Sequence, residues 1–324
     1  MRALIVTSMW PSPAAPARGT FVRDQVSALR ALPGVDVEVF AFPPKGYARA
    51  ARDLRRRYRR ERFDVVHAHF GLTAWPALAV RHATRVVTLH GTDLRHPRSR
   101  RITSAALGRY DLVAAVSPEL AREVPGAGGR RRVAVLPCGV DLDRFVPIPR
   151  PEARERLGLD RDGRYLLLAA DPARPAKRPD RARELAAATG AQLLTLGRVE
   201  PFEVPDWVNA ANAVVVPSDH EGFGLAVLEA LACDVPVLAT PVGNHPVALD
   251  GVAGALCAPY DPDAWSAVLR GHLDTPEPRV AGRARAALWS AERMAKRVRD
   301  AWIEVSGAPL YSRTEAPNDG AVSI

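Results

Sequence analysis

The stretch Ala213-Val-Val-Val-Pro-Ser-Asp-His-Glu221-Gly-Phe-Gly-Leu-Ala-Val-Leu-Glu229-Ala-Leu-Ala232 carries a strand, a turn and a helix within twenty residues. Ala213–Pro217 is a short apolar, β-branched run, which reads as a buried strand. Gly222 and Gly224 lack Cβ atoms, so the backbone there approaches a ligand closely. From about Gly224 the apolar residues fall at helical spacing, with Val227, Leu228 and Leu231 toward a core. A helix that opens straight after a strand leaves its first N–H groups unpaired, here near Leu225 and Ala226, and forms an anion site. Glu229 stands one turn above Leu225, in reach of a hydroxyl-rich ligand.

The same alternation extends outward through the chain. Strands are expected at Arg2–Thr7, Val35–Ala41, Asp64–Ala68, Val86–Leu89, Leu112–Ser117 and Val133–Leu136, with helices such as Thr20–Leu32 and Tyr47–Glu61 between them. A second set follows at Arg164–Ala170, Gln192–Leu196, Ala213–Pro217, Pro236–Ala239 and Ala255–Ala258. Strand–helix alternation specifies parallel, doubly wound sheets, and 324 residues suit two such domains. Their boundary is placed in the Pro- and Arg-rich stretch Val146–Glu152, read as a linker, giving domains 1–150 and 151–306. Val280–Val305 reads as one or two helices, the last able to cross back to the first domain, and 307–324 as a flexible tail. Ligands of doubly wound sheets bind at the carboxyl ends of strands, which points to the loops after Thr7, Leu89, Ala170 and Pro217.

Composition narrows the class. No stretch has the ~20 uninterrupted apolar residues of a membrane span, and MRALIVTSMW reads as a strand rather than a leader. Three scattered cysteines, Cys138, Cys233 and Cys257, lack metal-ligand spacing and suit a reducing compartment. A cytoplasmic protein is the expectation. Residues 1–150 hold 26 Lys+Arg against 12 Asp+Glu, while residues 151–324 hold 19 against 24. Eight arginines fall between Arg49 and Arg62, behind an apolar stripe of Ala48, Ala51, Leu54 and Tyr58. That stripe is expected to dock on the core, leaving the arginines for water or peripheral contact with an anionic inner membrane face. A nucleic-acid role is not expected, because no aromatic platform accompanies the charge.

The Glu221-x7-Glu229 pattern with its internal Gly-Phe-Gly resembles the signature of family 4 glycosyltransferases. The likeness continues through Ala230–Gly243 and Asn209–Ser218. In the first half it includes Thr7–Pro11, Arg18–Val26, Asp64–His69, Thr88–Asp93 and Val135–Phe145. The resemblance implies a GT-B fold, two Rossmann-like domains facing across a cleft. It also implies retaining sugar transfer from a nucleoside diphosphate sugar without a metal or other cofactor. Carried over residue by residue, it assigns the donor sugar to Glu221, Phe223 and Gly224, the diphosphate to the amides of Leu225 and Ala226, and the ribose to Glu229.

It also implies cations after the first strand of the second domain, where fixed charge stabilises the departing diphosphate. Lys177 aligns with the family lysine. The family's Gly-Arg position, however, reads Ala170-Asp171, so Arg174 is expected to take the arginine's role, with Arg178 as its rival. The resemblance sets His90 against the donor sugar, and Asp93 orients it or touches acceptor. His67 and His69 are expected on opposite faces of their strand, His69 toward the cleft. Gly19 maps to a turn near the donor phosphates, with Arg18 adding charge or reading the acceptor. Gly197–Pro205 is expected to border the base.

The expected reaction moves a hexose-type sugar from a UDP- or GDP-sugar to a hydroxyl acceptor in cell-envelope glycan, glycolipid or secondary-metabolite synthesis. A non-catalytic nucleotide-sugar-binding partner and a nucleotide-sugar epimerase of the same fold are the alternatives.

Overall fold

The computed structural model describes residues 1–307 other than Arg130 and Arg198. Most of the expected tail, 308–324, lies outside the described residues. Six strands form the first sheet: β1 (Arg2–Thr7), β2 (Asp36–Ala41), β3 (Val65–His69), β4 (Thr84–Leu89), β5 (Leu112–Ala115) and β6 (Val133–Val135). Five form the second: β7 (Tyr165–Leu168), β8 (Gln192–Thr195), β9 (Ala213–Val216), β10 (Val237–Ala239) and β11 (Leu256–Cys257). Each sheet is parallel throughout, in the orders β2-β1-β3-β4-β5-β6 and β11-β10-β9-β7-β8. Both strand orders reverse direction once, between β1 and β3 in the first sheet and between β7 and β9 in the second. The crevices of doubly wound folds lie at such reversals.

Every strand end falls within two residues of the sequence expectation. The helices are shorter, Thr20–Arg30 and Tyr47–Arg57. In the latter the buried residues are Ala50 and Leu54, followed by Tyr58 just beyond its end, while Ala48 is exposed. The spacing of four between these three corrects the expected stripe.

The linker also differs from expectation. Arg150 opens a helix, Arg150–Arg156, instead of lying in loose chain. Its guanidinium is 1% exposed and donates to the carbonyls of Ala211, Pro276 and Pro278. Upstream, Asn209 pins the chain by donating to the Val146 carbonyl and accepting from the Ile148 amide. A buried guanidinium needs such acceptors, which a proline- and arginine-rich composition does not reveal.

The chain crosses between domains a second time at Trp289–Ala291. Val140 donates to the Trp289 carbonyl and accepts from the Ala291 amide, both at 2.8 Å, so the two crossings run side by side. A Cβ on Gly139 would fall 2.8 Å from the Ala291 Cα. The final helix, Ala291–Ser306, is capped by the Ser290 hydroxyl and ends at left-handed Gly307. It packs on the first domain, burying Met294, Val298 and Trp302 against Ile5, Val22 and Leu29. Full burial of an indole of roughly 200 Å² stabilises this return by about 5 kcal/mol before entropy is counted.

Candidate active site

Both sides of the β7/β9 reversal carry charge. β7 leads into the turn 171–178, which holds Lys177 in a short 3-10 segment, and β9 leads into Ser218–Gly224. Lys177 Nζ donates to Glu221 Oε1 at 2.5 Å, and the Ser218 hydroxyl donates to the same oxygen at 2.8 Å. Burial would raise the Glu221 pKa, but the Lys177 charge and hydrogen bond offset it and hold the carboxylate below its usual value. Glu221 therefore remains an anionic acceptor inside the cleft.

The turn after it is braced from one side by residues 240–245. The Phe223 carbonyl accepts from the Asn244 amide, and the Thr240 hydroxyl donates to the Ser218 carbonyl. His245 Nδ1 donates to the Thr240 carbonyl at 2.9 Å, which leaves Nε2 as a lone-pair acceptor. A Cβ on Gly224 would fall 2.3 Å from that Nε2, and the glycine has φ +101°, so no side chain fits. The helix Leu225–Ala232 begins there without a side-chain cap. Its first amides, Leu225 and Ala226, have no acceptor within the helix.

The first domain meets this loop directly. Arg95 donates to the Glu221 carbonyl across the cleft at 2.9 Å, with its other end on Glu119 and Glu123. A Cβ on Gly222 would lie 2.1 Å from the His90 carbonyl oxygen. His90 is thus brought against the glutamate loop by backbone contact that only glycine permits.

Behind His90 lies a row of buried imidazoles. Residues two apart on a strand share a face, so His67 and His69 project to the same side and stack at 4.7 Å, which corrects the opposite-face expectation. Trp302 Nε1 donates to His67 Nδ1, so the His67 proton is on Nε2, which donates to Thr88 at 2.7 Å. His69 Nδ1 and His90 Nε2 are 3.1 Å apart. Burial keeps both imidazoles neutral, with His69 driven down to about 3 and His90 well below 6.5, so one donates to the other. His69 Nε2 is buried without a partner among the described residues. An orphaned N–H is rarer than an orphaned acceptor. The proton therefore belongs on His69 Nδ1, donating to His90 Nε2, and His90 keeps its own proton on Nδ1. Phe70 and Phe21 flank the His90 ring at 4.5 and 5.0 Å.

Asp93 and His69 are both buried, His69 at 1% exposure. Asp93 is 4% exposed, and its two oxygens accept from the backbone amides of Gly71 and His90 at 2.7 and 2.5 Å. It fixes the His90 turn, while His69 sits behind the ring.

At the mouth of the cleft, the Glu229 carboxylate accepts no hydrogen bond among the described residues. Burial raises its pKa to about 7, against the pull of Arg144 and with a further push from Asp24. Arg144 donates to Asp24 at 2.7 Å, and Arg23 holds the other Asp24 oxygen. A cavity of about 410 Å³ opens beside this cluster, lined by Pro11, Pro16, Arg23, Arg144, Glu200 and Phe202. Residues 200–202 thus form one wall of an interdomain cavity, with Phe202 74% exposed.

Arg174 is exposed and its side chain has no partner among the described residues, as is also true of Arg18. Arg178, at φ +50°, is bound by Asp180 and Asp219, and those carboxylates raise its pKa. Of the two rivals, only Arg174 has a guanidinium free to meet an incoming anion. Gly19 caps the helix Thr20–Arg30 at φ +68°, where a Cβ would fall 2.3 Å from the Met9 carbonyl oxygen. Arg95, Ser218 and His245 make site contacts that no motif in the sequence assigns to them. Ser218 alone left a local trace, as a polar residue closing a buried strand three places before Glu221.

Two doubly wound parallel-sheet domains with a charged site at the facing strand ends make up the GT-B architecture. Residues 3–144 match the model of glycosyltransferase family 4, and residues 153–274 that of glycosyl transferases group 1. A D-inositol 3-phosphate glycosyltransferase of Frankia alni is 32% identical over 71% of this chain and 72% of its own length. The protein so named in Mycolicibacterium paratuberculosis is 30% identical over 84% of this chain and 72% of its own. The chain spans 64% of a third, from Geodermatophilus obscurus, at 33% identity. The chain belongs to glycosyltransferase family 4. Among solved structures, sucrose-phosphate synthase of Thermosynechococcus elongatus shares the fold, with TM-score 0.73 and 20% identity over 95% of this chain and all of its own. Anabaena HepE in complex with UDP-glucose superposes with TM-score 0.68 and 18% identity over 94% and 100%.

Proposed function

We propose that this glycosyltransferase moves a hexose-type sugar from a UDP- or GDP-sugar to a hydroxyl acceptor, with retention of anomeric configuration and without a metal or other cofactor. The observation that carries this reading is the Lys177–Glu221 pair at the β7/β9 reversal, beside the uncapped amides of Leu225 and Ala226. Glu221, with the Phe223 and Gly224 backbone, holds the donor's sugar hydroxyls. The Leu225 and Ala226 amides, with Lys177 and Arg174, hold the diphosphate, so protein cations and dipoles meet the charge that develops there. Glu229 accepts from the ribose hydroxyls. His90 presents Nδ1–H to the sugar, with His69 fixing its ring. Gly19 allows the diphosphate to approach the first domain, and Arg18 faces the acceptor. The UDP-glucose complex of HepE supports a nucleotide-sugar donor, and relatives named for D-inositol 3-phosphate support a hydroxyl acceptor. Three free cysteines suit a cytoplasmic location.

In the reaction, the acceptor oxygen attacks the anomeric carbon on the leaving-group face. The bond from that carbon to the diphosphate breaks, and the acceptor's proton passes to the departing phosphate oxygen. The protein contributes position and electrostatics.

The test is a melting panel of UDP, GDP, ADP and TDP with their sugars in EDTA. A nucleotide at 100 times its dissociation constant stabilises by about 2.7 kcal/mol. The reading requires a shift with one base that Glu229→Gln abolishes, followed by turnover whose product keeps the donor's anomeric configuration. An inverted product removes the mechanism. Binding without turnover on any acceptor would favour the partner-protein reading, for which Asp171 at the family's arginine position is the supporting observation.

A further inference from the structure

Six arginines of the first domain lie on one face. The helices Tyr47–Arg57, Ala74–Ala77 and Pro97–Leu107 pack side by side there. Arg52 and Arg55, one turn apart on the first of them, meet Arg81 around a hollow of about 380 Å³ with Ala51, Leu78 and Ala79 as its floor. Beside the hollow, Trp75 is 37% exposed and Ile102 is 47% exposed. The Trp75 indole donates to the Ile102 carbonyl at 3.0 Å, and the Arg109 guanidinium lies 5.5 Å over its ring. Arg98 is placed one turn from Ile102 on the same helix face, and Arg101 adjoins it. The helix Pro97–Leu107 contains no acidic residue, and none of these six arginines pairs with a carboxylate among the described residues. By contrast, Arg49 and Arg57 nearby are matched to Asp53 and Glu38.

Three unmatched guanidiniums around an apolar-floored hollow suit a phosphate group, because the planar fork pairs with two oxygens at once. A half-exposed indole and an exposed isoleucine among cations have the makeup of an interfacial anchor. Charge complementarity selects the occupant. A second copy docked through the same face would bring like charges together, and a nucleic acid would want an aromatic platform, which an edge-bonded, half-buried Trp75 does not supply. We propose that this face docks the protein on an anionic phospholipid surface. Arg52, Arg55 and Arg81 cradle a headgroup phosphate, and Trp75 and Ile102 enter the interface. The inference stands apart from the donor reading, because the cleft uses none of these side chains.

The test is co-sedimentation of the full chain with vesicles of phosphatidylcholine alone and of phosphatidylcholine with phosphatidylglycerol, at low and high salt. Binding is expected to the anionic vesicles alone and to fall with salt. Each near-surface arginine contributes roughly a fivefold factor, so combined Arg52→Gln, Arg55→Gln and Arg81→Gln weakens binding by on the order of 100-fold. Ile102→Ser weakens it severalfold at both salt concentrations. Both variants keep the wild-type melting temperature and nucleotide shift, which separates a lost surface from a lost fold. Equal binding to neutral vesicles, or wild-type binding by the triple variant, overturns the proposal. Retention on duplex DNA without retention on anionic vesicles overturns it in favour of nucleic acid.

Discussion

Replacing Glu229 by glutamine removes a charge that the fold makes costly. In the cleft its pKa rises from 4.5 to about 7, burial being the largest cause and Arg144 only a partial offset. A carboxyl whose folded pKa is raised binds its proton more tightly in the folded chain than in the unfolded one. The penalty for ionising it is therefore absent below pH 4.5, grows between 4.5 and about 7, and is constant above. At about 1.4 kcal/mol per pH unit the full difference is about 3 kcal/mol, and about 2 once solvent at the cleft rim is allowed for. Glu229→Gln keeps the shape and removes the ionisation. Melting curves of the unliganded protein should coincide with wild type near pH 4. At pH 8 the variant should melt higher, by a few degrees for a chain of this size. The same variant should lose the melting shift given by the donor nucleotide, so stability and binding move in opposite directions. A variant less stable than wild type at pH 8, or a difference independent of pH, would refute the half-buried, unpartnered carboxylate from which the magnitude comes.

Two further outcomes follow from the contacts around His90. His69→Ala should lower kcat on the order of 100-fold with KM changed less than about twofold, because the ring loses its orientation rather than its place. His69→Asn, whose amide nitrogen mimics Nδ1–H, should restore most of the rate; equal loss in both variants would show that the imidazole only fills space. Gly222→Ala puts a Cβ 2.1 Å from the His90 carbonyl oxygen. The domains then cannot close as they do here, so kcat should fall at least about 100-fold while the nucleotide still stabilises the protein; wild-type turnover would remove the backbone contact from the account.

The fold is legible in the sequence where the signal is local. Strand edges follow from apolar runs bounded by proline and polar residues. The Glu221–Glu229 loop is legible because Gly222 and Gly224 stand between a strand and a helical pattern. The alternation of those elements was sufficient for two doubly wound sheets. Helix ends and the buried stripe are not set locally, and Ala50 rather than Ala48 meets the core. The linker went the same way, since the acceptors that hold Arg150 are supplied by residues 211, 276 and 278.

By itself the sequence determined the two sheets, the glycine loop and the family, because each is written in spacing over a few residues or in ordered motifs. Only the tertiary structure decided which charges meet. Lys177 reaches Glu221 because β7 and β9 are neighbours in the sheet though not in the chain. Arg95 grips the Glu221 carbonyl across 126 residues, and Trp302 sets the proton on His67 across 235. Arg174 and Arg178 are equivalent by composition; Asp180 and Asp219 hold the second and leave the first free. Hydrogen bonds and ion pairs act over a few ångströms of space, and distance along the chain does not determine distance in space until the sheets have formed.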